Sequence, residues 1–257
     1  MTTSEATVRT EVTGRTLVIT IDRPAARNAI NAAAARGIAD AIDELETDPD
    51  LRVGVLTGAG GTFSAGMDLK AAGRGESAHV DGKGFAGLTE ARTSKPLIAA
   101  VEGFAVGGGF ELALSCDLVV AASSATFGLP EVKRGLIAGG GGVIRLPQRI
   151  PHHLAMELLL TGRTIDASRA RELGVVNELV ADAETVTAAL ALAEEIGANA
   201  PLALAAVKEV VRSSEGRPES EAFSAQRAEI GDLMRSADFA EGVRAFSEKR
   251  APQWTGK

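Results

Sequence analysis

The chain has 257 residues, a formal net charge of −7 and an apolar share of 45%, enough length to bury a sizeable core as one large domain or a domain with an appendage. The acidic balance argues against a nucleic-acid partner, because phosphate binding rests on clustered Lys and Arg. Cys116 is the only cysteine, which excludes an intramolecular disulfide and a cysteine-rich zinc site and makes a reducing compartment, the cytoplasm, the expectation.

In chain order, residues 1–5 lack a basic region followed by an apolar run, so no secretory leader is expected. Residues 7–13 and 15–22 read as a hairpin around Gly14, with Leu17, Ile19 and Ile21 at the period-two spacing of a strand. Asn31 is a candidate helix cap, and Ala35, Ile38, Ile42 and Leu45 follow at helical spacing until Asp48-Pro49-Asp50 stops the helix. Residues 52–57 form a buried strand. Residues 71–87, rich in Gly and in small or polar residues, read as a mobile surface segment able to act as a lid. Residues 97–101 are a strand, 107–116 a helix and 117–122 another strand. Residues 127–131 are extended, since the residue before Pro130 avoids the helical region.

Gly139 to Gly142 form a second glycine-rich turn into a helix over 143–146. A helix from Pro151 to Leu160, a short helix over 168–173 and a strand over 175–180 follow. From Asp182 the pattern is amphipathic helices, with Val186, Leu190 and Ala193 on one face, then Leu202, Ala206 and Val210, then Phe223, Ile230 and Met234, then Phe239, Val243 and Phe246. The spacing divides the chain into a mixed α/β body, residues 1–200, and a helical tail, residues 201–257. The longest apolar runs are broken by Glu102, Glu111 and Asp117, too soon for a membrane span.

Two glycine turns open helices in apolar surroundings. One is Ser64-Ala65-Gly66-Met67-Asp68-Leu69, the other Gly107-Gly108-Gly109-Phe110-Glu111. Amides at a helix start lack internal partners and carry partial positive charge. Two such turns facing each other would converge two N–H donors on one point, the geometry that holds an oxyanion developing on a carbonyl. Glu111 lies about one helical turn past Gly107, inside an apolar run where a carboxylate is costly. Glu131 follows Leu129-Pro130. Two acids tied to glycine turns fit a general acid and base, with burial raising their affinity for protons.

Other chemistries fit poorly. The only histidines are His79, His152 and His153. His79 falls in the loop-like segment and reads as a solvated residue, and adjacent side chains of the His152-His153 pair diverge on a helix, so no metal site is expected. There is no Gly-x-Ser-x-Gly elbow, no phosphate loop ending Gly-Lys-Ser/Thr and no dinucleotide spacing of glycines.

These residues resemble the enoyl-CoA hydratase/isomerase, or crotonase, superfamily. The likeness runs through Arg23-Pro24 with Asn28-Ala29, the two glycine turns, Phe127-Gly128-Leu129-Pro130-Glu131, Thr161-Gly162-Arg163 and Glu241-Gly242-Val243-Arg244-Ala245-Phe246-Ser247-Glu248-Lys249-Arg250. It implies an α/β fold, a crotonase-like spiral of repeated ββα units whose C-terminal helices drive assembly into a homotrimer or a homohexamer, a dimer of trimers. It implies an oxyanion hole at the backbone amides of Met67 and Gly108, and an acyl-CoA thioester as substrate with no further cofactor. Ala26, Arg27, Ala65 and Asp68 match the adenine-pocket segment, while Phe246 and Lys249 match tail positions that meet CoA, often from a neighbouring subunit.

Hydratases of the family carry both glutamates, so the expected reaction is reversible addition of water to a 2-enoyl-CoA, with Glu111 as base and Glu131 as acid. A double-bond isomerase, a crotonobetainyl-CoA hydratase and a non-catalytic CoA-binding assembly protein are the alternatives. Residues 103–114 and 142–147 look closest to the carnitinyl-CoA dehydratase branch. Where many hydratases have Pro-Gly-Ala-Gly-Gly, this chain has Ala138-Gly139-Gly140-Gly141-Gly142, a change that would reshape the acyl pocket.

Overall fold

The computed structural model describes residues 6–257; the stretch read above for a leader, residues 1–5, lies outside them. Strands β1 (Val8–Thr13) and β2 (Thr16–Ile21) pair antiparallel across the Gly14 turn. Helix α1 (Ala32–Thr47) starts where the Asn31 side chain accepts a hydrogen bond from Ala34 N at 3.0 Å, a cap worth about 1 kcal/mol. Its Ala35, Ile38, Ile42 and Leu45 are all buried. Strand β3 (Val53–Gly58) then runs parallel to β2.

Next come α2 (Leu69–Ala72), a small hairpin of β4 (His79–Val80) and β5 (Gly84–Phe85), and β6 (Leu97–Val101). Two couples of successive strands arise here, β6 with β7 (Phe104–Val106), leading into α3 (Gly108–Ser115), and β8 (Leu118–Ala122) with β9 (Thr126–Gly128). The chain continues through α4 (Gly142–Arg149), α5 (His152–Thr161), β10 (Thr164–Asp166), α6 (Ala167–Glu172) and β11 (Glu178–Val180). Helices α7 (Thr185–Gly197), α8 (Pro201–Ser214), α9 (Glu219–Leu233) and α10 (Ala237–Glu248) complete it.

The large sheet has the order β1-β2-β3-β6-β8-β11 and is parallel from β2 onward. A parallel sheet covered on both faces needs strands that are apolar on both sides, and these are. Leu97, Ala99 and Val101 of β6 join the core on the α1 and α3 side, while Ile98 and Ala100 join Val53, Val55 and Val120 beneath Ala189 and Ala193 of α7. Only 4% of the chain is aromatic, and Phe63, Phe110 and Phe127 lie fully inside. The second strand of each pair leaves for a three-stranded sheet, β10-β9-β7, and this exchange between two sheets makes the strand–strand–helix spiral.

Within residues 71–87, positions 73–77 and 81–82 lie on the surface as expected, while both ends of the segment are packed down. Ala71, Ala78, Phe85 and Ala86 are buried, and Ala86 N donates to Ala78 O at 2.8 Å. The small residues there permit close packing as well as looseness. Strands β7, β9 and β10 are too short for alternation to show in sequence, although residues 127–131 do begin extended before turning at Pro130 into a 3-10 turn, Glu131–Arg134.

Helix α7 lies on the large sheet, and α8 departs from it at 102° to α7. Among the described residues no single helix is long and apolar enough to cross a membrane. Helices α8 to α10 leave Val207, Val211, Phe223, Ile230, Met234, Phe239, Val243 and Phe246 exposed. The chain end folds back on α10, where Asp238 accepts from Thr255 N at 2.7 Å and Trp254 Nε1 donates to Ala198 O at 2.7 Å.

Candidate active site

The two glycine turns meet. Ser64 bridges Ala105 of β7, and Met67 bridges Ile30. Gly66 sits at φ +85°, and a Cβ there would lie 2.7 Å from Gly108 N and 2.8 Å from Val106 O. Only glycine permits both that backbone conformation and that approach. At the start of α3, a Cβ on Gly108 would lie 2.5 Å from the Phe85 ring, so Phe85 packs where a side chain would be. The amides of Met67 and Gly108 donate no hydrogen bond among the described residues, as a helix start and a turned loop permit.

Asn28 and Ser64 hold the first turn. Buried Asn28 accepts from Arg23 N at 2.9 Å and donates to Ala59 O at 2.8 Å and to Thr62 O. Ser64 Oγ donates to Asn28 O at 2.8 Å and accepts from Gly66 N at 3.1 Å. Removing a buried partner costs the desolvation of every group it leaves, about 1–3 kcal/mol each. Asn28→Ala should therefore lose about 3 kcal/mol or more of stability, read as a lower urea midpoint at unchanged slope. A shift under about 1 kcal/mol would mean that water replaces the amide.

Met67, Gly107 and Gly108 line one cavity of about 300 Å³ with Glu111 and Glu131. Its wall is completed chiefly by Leu69, Phe85, Val106, Leu136 and Ile137. Glu111, one turn into α3, is only 4% exposed, and its Oε1 accepts from Gly142 N at 2.8 Å. Burial pushes its carboxyl above the usual range, offset in part by backbone hydrogen bonds from Gly142 and Gly140 and by the Arg145 charge. Glu131 stands at the opening of the 3-10 turn after Pro130. Its Oε2 is buried with no hydrogen-bond partner. Its carboxyl is raised too, first by burial and also by the Glu111 charge, against its own backbone amide and Arg134. Such a pair can hold a water molecule and exchange protons with whatever lies between it and the amides.

The raised proton affinity of Glu131 has a stability consequence. A carboxyl that keeps its proton in the fold after the unfolded chain has released it makes stability fall as pH rises from the ordinary range through the folded value. Glu131→Gln removes that penalty. Its melting temperature relative to the parent should climb as pH rises above the ordinary carboxylate range, measured by thermal denaturation. A difference independent of pH would contradict the raised affinity.

The remaining predicted residues separate into two groups. Ala26, Arg27, Ala65 and Asp68 do come together, since Ala65 N donates to Arg27 O at 3.0 Å and Asp68 pairs with Arg23 at 3.0 Å. Asp68 also caps α2 through Ala71 N at 3.0 Å, and that bond first, then Arg23, holds its carboxyl below the usual range. Phe246, 89% exposed, and Lys249, at the end of α10, do not join them within one chain. Phe246 lines a different cavity of about 450 Å³, with Phe239, Val243 and Trp254. His79, read as a solvated loop residue, is exposed but lies on β4 and lines the glutamate cavity. The described residues hold no cluster of three His, Cys, Asp or Glu fit for a metal ion.

The profile of the family described as enoyl-CoA hydratase/isomerase matches residues 11–257. The chain belongs to the enoyl-CoA hydratase/isomerase family. Among relatives of that family, a protein named carnitinyl-CoA dehydratase from Salmonella typhi is 44% identical over 252 residues, spanning 95% of this chain and 96% of its own. An enoyl-CoA hydratase structure from Mycobacterium marinum superposes with a TM-score of 0.96 at 54% identity, covering 98% of this chain and all (100%) of that one. A carnitinyl-CoA hydratase structure from Mycobacterium avium gives 0.80 at 47%, covering 99% and 100%. The crotonase fold of this enoyl-CoA hydratase/isomerase family member is thereby shown, and the departure at Ala138 has left it intact.

Sequence reasoning missed Asn28 and Ser64 as the support of the first turn, Phe85 against Gly108, and the amide of Gly142 that holds Glu111. The glycine run 139–142 was visible; that the Gly142 amide reaches back to α3 was not.

Proposed function

We infer that the chain is an enoyl-CoA hydratase, a lyase that adds water reversibly to a 2-enoyl-CoA thioester. The observation that carries the reading is that Glu111 and Glu131 share a cavity with two amides that have no partner. The thioester oxygen would accept from Met67 N and Gly108 N, which stabilise the charge it gains as the α,β double bond polarises. Glu111 takes a proton from water while the water oxygen bonds to the β-carbon. Glu131 gives a proton to the α-carbon, and exchange between the two carboxyls resets the pair. The sum is one water added, with both proton transfers carried by the two carboxyls; no further cofactor is proposed, and coenzyme A belongs to the substrate.

Ala26, Arg27, Ala65 and Asp68 would meet the adenine of CoA. Phe246 and Lys249 would reach it from a neighbouring copy, consistent with the apolar faces that α8 to α10 leave uncovered. Assembly as a trimer or a dimer of trimers would cover those faces. A reducing compartment, the cytoplasm, suits the lone buried Cys116.

The 44% identity to carnitinyl-CoA dehydratases favours crotonobetainyl-CoA hydration as a second reading. The test follows the enoyl-thioester absorbance with crotonyl-CoA, longer 2-enoyl-CoAs and crotonobetainyl-CoA. Loss of the band with the simple thioesters supports the first reading, and loss with crotonobetainyl-CoA alone the second. CoA binding without any loss supports a non-catalytic assembly protein.

A further inference from the structure

Arg145 lies outside the cavity wall yet touches what shapes it. It stands one turn into α4, and its guanidinium folds back over the helix start. Nη1 donates to Gly140 O at 3.1 Å and Nη2 donates to Thr89 O. Between them Gly141 is at φ +100°, and a Cβ there would lie 2.1 Å from Nη1, so the left-handed glycine makes room for the cation itself. The clamped loop supplies the amide of Gly142 to the buried Glu111 carboxylate and packs Gly140 against it, where a Cβ would lie 2.8 Å from Oε2. At the other end, Thr89 N donates to Phe85 O at 3.2 Å, and the Phe85 ring packs against Gly108. One planar fork therefore ties the loop that holds the acid to the segment that covers the candidate oxyanion amide.

We propose that Arg145 is a positioning residue that sets the place of Glu111 from behind. The proposal rests on the hydratase reading above. A point charge on a flexible stem cannot span two carbonyls as a rigid fork does, so position and charge are separable by substitution. The charged and titratable groups around the pair are few. Glu131, His79 and Arg134 share the cavity with Glu111, while Arg149, Glu90 and Glu215 act on Arg145. The cation counters the rise that burial imposes on Glu111. Taking it away makes Glu111 hold its proton to higher pH.

The experiment measures kcat, KM and the pH dependence of kcat/KM for crotonyl-CoA hydration in the parent, Arg145→Lys and Arg145→Gln, with melting temperatures alongside. Arg145→Gln should move the limb governed by Glu111 ionisation upward and lower kcat about 10-fold or more, with KM little changed. Arg145→Lys should keep the limb near its parental place yet fail to restore kcat. Variants that melt earlier but keep parental kcat and limb would overturn the proposal and leave Arg145 a stabilising residue only. If Arg145→Gln does not fold, Arg145→Lys decides alone, since a parental kcat in it rejects the fork. A parent that hydrates nothing refutes the hydratase reading instead, a result distinct from unmoved variants of an active parent.

Discussion

Glu131→Gln should lower kcat for crotonyl-CoA hydration by about 10²–10⁴-fold, the usual contribution of a positioned acid or base, with KM for the thioester little altered. The substitution keeps volume and removes the exchangeable proton. Glu131 Oε2 has no protein partner to lose, so the fold should tolerate the change, and the rise in relative melting temperature with pH reports that it has. Glu111→Gln should cost a comparable factor. Its Oε1 accepts from Gly142 N, and a glutamine oxygen can keep that bond, so a loss there reads as lost chemistry. Because the two carboxyls act as one unit, the double variant should lose little more than either single one. Intact turnover in Glu111→Gln beside an inactive Glu131→Gln, with a shifted double bond and no water added, would replace the hydratase by a one-acid isomerase.

Gly66→Ala should reduce kcat by about 10²–10³-fold, the loss seen when one oxyanion donor is displaced. The new methyl would stand 2.7 Å from Gly108 N and 2.8 Å from Val106 O. Both are backbone atoms of the facing turn, so the relief has to come from parting the two turns. Left-handed backbone adds strain of about 1–2 kcal/mol for a residue with a Cβ. Gly61→Ala is the control for that strain, since Gly61 is at φ +71° with nothing within 4 Å of its would-be Cβ. It should lose stability and keep kcat. Equal kcat loss in both variants would mean that loop strain, not the pairing of the two amides, governs turnover.

Much of this architecture was readable because several signals agreed. Asn31 ahead of Ala35, Ile38, Ile42 and Leu45 gave a cap and a face together, and the structure places α1 there. The apolar runs that became β3, β6 and β8 are apolar on both faces because helices cover both faces. Element lengths below four residues were hidden, so the second sheet was not seen. The burial of Ala71, Ala78, Phe85 and Ala86 was not legible, because Gly and Ala serve tight packing and loose loops alike.

At the site, Glu111 and Glu131 were legible as acids out of place in apolar sequence. Their neighbours were not. Gly142 lies 31 residues from Glu111, and Asn28 lies 34 from Thr62, and no local pattern encodes such pairs. Lys249 and Phe246 show a different limit, since a single chain leaves them away from the cavity that they were read with.

The most direct measurement is proton NMR of the product formed from crotonyl-CoA in D₂O by the full-length protein. The account predicts a 3-hydroxyacyl-CoA carrying one deuterium on the α-carbon, formed with Glu111 and Glu131 intact and lost with either replaced by Gln. Recovery of a shifted double bond with no oxygen gained at the β-carbon, or of unchanged crotonyl-CoA from protein that binds it, would contradict it.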